Sequence, residues 1–61
     1  MTKLEAVDEA VKQSREANGE RRYAVKWINR RTGAIQWAVE KHKPALAAEC
    51  LLAVDGKLEH A

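Results

Sequence analysis

Pro44-Ala45-Leu46-Ala47-Ala48-Glu49-Cys50-Leu51-Leu52-Ala53-Val54-Asp55-Gly56 is the stretch that decides the fold of this 61-residue chain. Its alanines and leucines are strong helix formers. Proline suits the first helical position, where its missing N–H costs nothing, and Gly56 can close a helix in the left-handed conformation. The stretch predicts a helix over about 44–55. Leu46, Ala47, Cys50, Leu51 and Val54 fall on one broad face of that helix. Ala45, Ala48 and Leu52 fall on the opposite side. A helix apolar nearly all round is buried from more than one direction, and so short a chain has little else to cover it. Ala45, Ala48 and Leu52 are therefore the candidate interface with a second copy, as in a homodimer.

Working back from there, Tyr23, Val25 and Trp27, then Ile35, Trp37 and Val39, alternate with other residues as half-buried strands do. Asn29-Arg30-Arg31-Thr32-Gly33 between them is turn-forming, with Gly33 free to take a positive φ. A β-hairpin over about 21–41 follows. The expected register sets Trp27 against Ile35, Val25 against Trp37 and Tyr23 against Val39, which gathers all six large apolar side chains on one face. On the other face Arg22 then opposes Glu40.

Residues 2–18 predict the remaining helix. Leu4, Val7, Val11 and Ser14 recur at helical spacing, with Ala10 and Ala17 widening the stripe. Thr2 and Glu5 form a capping-box pattern, and Asn18-Gly19 supplies a left-handed stop. The expected fold is α+β: a single helix–strand–strand–helix domain, with two helices on one face of an antiparallel hairpin. An isolated hairpin is marginal, so the helices must supply much of the stability.

Charge divides the chain into three. Residues 1–20 carry −2, residues 21–43 carry +6 from seven basic groups and one acid, and residues 44–61 carry −2, for a net +2. The basic centre comprises Arg21, Arg22, Lys26, Arg30, Arg31, Lys41 and Lys43. A basic ribbon can track phosphates or enter a nucleic-acid groove. Arginines are equally suited to an acidic protein surface.

Chemistry is hard to place on this sequence. Cys50 sits in an apolar run and reads as a small core residue, with His42 on no shared helical face. His42 and His60 lack further ligands at metal-binding spacing. Gly19, Gly33 and Gly56 are isolated and belong to helix ends and a turn. Ser14 lies on a helix stripe. No catalytic residue, metal or cofactor is expected. The single cysteine excludes an internal disulfide and fits a reducing compartment. No apolar run spans a bilayer, and the first residues lack the apolar core of a signal peptide, so a cytoplasmic location is expected. The favoured function is a non-catalytic protein-binding module, a small inhibitor or adaptor that occupies a partner's surface. Nucleic-acid binding through the basic hairpin is the alternative.

Overall fold

The computed structural model describes residues 1–60, and of His60 only the backbone. Its elements are α1 (Lys3–Glu16), β1 (Arg22–Ile28), β2 (Ile35–Glu40), β3 (Glu49–Val54) and β4 (Lys57–His60). All strand pairs are antiparallel, in the order β2-β1-β3-β4.

Residues 44–56 do not form the expected helix. Residues 49–54 form β3, which pairs with β1 from Arg22↔Ala53 to Lys26↔Glu49. The expected two helices on a two-stranded sheet are thus one helix on a four-stranded sheet. The physical reason lies in two signals that compete with helix propensity. A short apolar run without alternation also suits a strand buried on both faces. Asp55-Gly56 is moreover a two-residue hairpin turn. Val54 pairs with Lys57, and both turn residues have positive φ, +52° at Asp55 and +76° at Gly56. That is the type I′ geometry whose twist matches the flanking strands. Gly56 therefore turns the chain into another strand rather than ending a helix.

The hairpin of β1 and β2 forms where expected, but one residue out of the expected register. Tyr23 opposes Glu40, Val25 opposes Ala38, and Trp27 opposes Gln36. The cause is the turn. The Asn29 N–H donates to the Ala34 carbonyl at 2.9 Å and the Gly33 N–H to the Asn29 carbonyl at 2.6 Å, with Gly33 at φ +77°. Arg30–Gly33 is a four-residue loop, with the glycine inside it rather than beyond it. The Asn29 side-chain oxygen accepts from the Arg31 and Thr32 amides and holds the loop. A one-residue slip moves a whole strand's side chains to the other face. Ile35, Trp37 and Val39 consequently share a face with Ala24, while Tyr23, Val25 and Trp27 occupy the reverse side. Arg22 does not oppose Glu40.

The helix covers the face that carries Trp37. Its N-terminus is the expected capping box: the Glu5 amide donates to the Thr2 hydroxyl at 3.2 Å, and the Thr2 amide donates to the Glu5 carboxylate at 3.0 Å. Asn18 and Gly19 take positive φ, as the stop signal requires. Ala6, Ala10 and Ser14 are fully buried, with Val7 and Val11 partly so, against Ala24, Trp37, Leu51 and Ala53. Small residues let α1 sit close to the sheet over the indole. The expected stripe is therefore rotated, and Leu4 is 70% exposed.

One connection remains. β2 and β3 flank β1 and both run antiparallel to it, so residues 41–48 must return from the foot of the sheet to its head across β1. Eight residues reach about 27 Å when extended, against about 20 Å of strand. The helix occupies one face, so this connector takes the other. There Val25 is fully buried and Tyr23 nearly so, and Trp27 lines a cavity with Leu46 and Ala47.

Candidate functional site

The seven basic residues singled out in the sequence do not form one ribbon. Arg22 is consumed internally. Its side chain is buried, and its guanidinium donates to the Gln13 side-chain oxygen at 3.2 Å, the Arg21 carbonyl at 2.9 Å and the Glu20 carboxylate at 3.2 Å. It ties β1 to α1. Lys26 lies half-buried on the helix side, opposite Glu49 on one neighbour and Trp37 on the other. The five others are exposed. Arg30 and Arg31 sit on the loop at the head. Arg21 and Lys41 sit at the foot, where they line a shallow cavity with Glu20 and His42, about 20 Å away along the seven residues of β1. Lys43 lies on the connector, close enough to Cys50 to act on its thiol.

The foot is closed by polar contacts. Ser14 donates to the Val11 carbonyl at 2.8 Å and accepts from the Gly56 amide at 3.0 Å, a bond spanning 42 positions. A Cβ on Gly56 would lie 2.8 Å from the Arg15 guanidinium, and one on Gly19 would strike the Asp55 carboxylate. Helix end and β3–β4 turn are thus pressed together. No buried side-chain polar atom among the described residues lacks a partner.

The head is built differently. Leu46 is 88% exposed, and Ile28 and Ile35 are exposed at the strand ends. Trp27, Ile28, Arg30, Leu46 and Ala47 border a cavity of about 230 Å³. Single exposed apolar residues are ordinary, but an apolar cluster rimmed by charge marks an interaction site. Tryptophan and arginine are the residue types that dominate interface hot spots. The sequence offered Arg30 and Arg31 but not Leu46, Ile28 and Ile35. Leu46 was placed inside a helix and Ile35 on a buried face, so no sequence signal exposed them.

Ala45, Ala48 and Leu52 no longer share one side of a helix. Ala45 is an exposed connector residue. Ala48 leads into β3, its amide donating to the Lys26 carbonyl at 2.9 Å. Leu52 is a half-buried β3 residue opposite Tyr23. Cys50 opposes Val25 on the face away from α1. Burial pushes its thiol above the usual cysteine value, and Lys43 pulls it back only partly. A raised pKa leaves less thiolate, the form that attacks. Among the described residues, no three His, Cys, Asp or Glu side chains converge as metal ligands, and no helix is long and apolar enough to cross a membrane.

No family model, curated protein or solved structure matches the chain.

Proposed function

We propose that this chain is a non-catalytic protein-binding module, an inhibitor or adaptor whose head occupies an acidic, apolar-centred surface on a partner protein. The observation that carries the reading is Leu46, almost fully exposed beside Trp27, Ile28 and Arg30. Apolar anchors at the centre with arginines at the rim match the anatomy of a protein interface. Arg30 and Arg31 would steer the approach to an acidic partner. The unpaired Cys50 suits the reducing cytoplasm.

Nucleic-acid binding through the loop arginines is the second reading, favoured by the exposure of both Arg30 and Arg31. It is the weaker one. Phosphate tracking gains from continuous positive charge, and the exposed basic groups here are spread over the head loop, the connector and the foot.

A photo-crosslinking side chain at position 46, with one at exposed Lys12 as control, tests the first reading in cells. The expected result is a discrete protein adduct from position 46 alone, diminished by Arg30→Ala. Equal adducts at both positions overturn it. Anisotropy of a labelled duplex and single strand tests the second. Salt-sensitive binding lost in Arg30→Ala/Arg31→Ala promotes nucleic acid over protein.

A further inference from the structure

The sheet has two free edges, and they differ in whether a second copy could pair with them. β2 is free along one side. A two-fold antiparallel pairing centred on Trp37 would set Ile35 against Val39 and Gln36 against Ala38, with no opposite charges to hold the register. The β4 edge has the opposite property.

In the β3–β4 hairpin, Val54 and Lys57 flank the two-residue turn as a hydrogen-bonded pair, so Lys57 and Glu59 turn their backbone groups inward to β3. Alternation then points the Leu58 N–H and carbonyl outward, where no strand among the described residues meets them. The Leu58 side chain lies on the helix side of the sheet, opposite Ala53. It borders an apolar groove of about 470 Å³ with Lys3, Leu4, Val7 and Leu51. α1 covers the other strands but reaches β4 little, leaving Leu4 and Leu58 exposed.

We propose that β4 is a homodimer edge, on which two copies pair antiparallel about a two-fold axis through Leu58. An isologous contact requires a surface complementary to itself, and the sequence Lys57-Leu58-Glu59 meets that requirement. Centred on Leu58, the pairing sets Leu58 against Leu58 of the second copy and Lys57 against its Glu59, twice over. Within the chain, Lys57 opposes Val54 and Glu59 opposes Leu52, and neither charge has an ion-pair partner among the described residues. The central leucines would exchange two backbone hydrogen bonds. Their side chains would join the two apolar grooves into one core beneath a continuous eight-stranded sheet carrying two helices. This inference is independent of the head surface.

Sedimentation equilibrium of the full chain across a concentration series is the test. Wild type is expected to approach twice its 6.9 kDa mass. Lys57→Glu and Glu59→Lys each set like charges across the axis and should weaken association at least about tenfold. An equimolar mixture of the two variants restores opposite charges and should form a one-to-one heterodimer. The double variant Lys57→Glu/Glu59→Lys should self-associate like wild type. Leu58→Cys in a Cys50→Ser background gives a second reading, because directly opposed residues about 5.5 Å apart at Cα suit a disulfide. It should cross-link rapidly under mild oxidation. A chain that stays monomeric throughout overturns the proposal. So does a dimer indifferent to both charge reversals, or a Leu58→Cys chain that does not cross-link.

Discussion

The two ends of the sheet are built on opposite principles. At the foot, Ser14, Arg22, Gly19 and Gly56 are locked by hydrogen bonds and by contacts too close for a Cβ. At the head, Leu46 stands in solvent beside Trp27, Ile28 and Arg30, and Ile35 is exposed on the helix side of the sheet. The same chain that satisfies its buried side-chain polar groups at one end leaves apolar surface uncovered at the other. Polar cross-links and close backbone contacts are concentrated where the end of α1 meets the β3–β4 turn, and the head has no such lock among the described residues.

That contrast can be tested by substitution. The largest effect belongs to the core shared by both ends. Trp37→Ala should lower unfolding free energy by about 3–5 kcal/mol, enough to unfold much of so small a domain, and urea denaturation reads it directly. At the foot, Ser14→Ala leaves the Gly56 amide without its acceptor and should cost about 1–3 kcal/mol. If Ser14→Ala proves neutral, the foot is not locked by this bond. At the helix N-terminus, Thr2→Ala should cost about 0.5–2 kcal/mol. At the head, Leu46→Asp should change stability by no more than about 0.5 kcal/mol while abolishing the position-46 adduct. A large destabilisation there would make Leu46 a structural residue and erase the contrast.

Acid sharpens the picture at one further site. The Thr2 amide, then the Thr2 hydroxyl, hold the Glu5 carboxyl below its usual range. A carboxylate with a lowered pKa in the folded state contributes stability that is present above its unfolded value. That contribution is lost as pH falls through the lowered value. Helical circular dichroism should therefore weaken on acidification through that window, and Glu5→Gln should remove the Glu5 share of the dependence.

How much of this was readable beforehand varied with the kind of signal. The capping box of α1, its Asn18-Gly19 stop and the existence of a hairpin around residues 29–33 were legible because each depends on local chemistry. The register was not. Asn29 and Gly33 allow either a three- or a four-residue loop, and one hydrogen bond, from the Asn29 amide to the Ala34 carbonyl rather than to that of Gly33, decides between them. Gathering six apolar residues on one face favoured the wrong choice, because the sheet is buried on both faces. β3 was misread for the same reason. Alanine and leucine favour a helix locally, whereas an open edge on β1, distant in sequence, recruits residues 49–54 as a strand. Asp55-Gly56 carried the readable clue, a two-residue turn between Val54 and Lys57. Of the residues at the proposed binding surface, the loop arginines were legible from charge, while Leu46 emerged only once it was seen to lie outside any helix.

The connector has a consequence for how the molecule comes together. Each of its two hairpins, β1–β2 and β3–β4, is closed by its own short loop and joins residues close in sequence. They meet only along the β1–β3 seam, which residues 41–48 serve as a tether. The chain is thus two prefabricated halves, and a break in the exposed connector should leave fragments that recognise each other across that seam and rebuild the sheet without a covalent link.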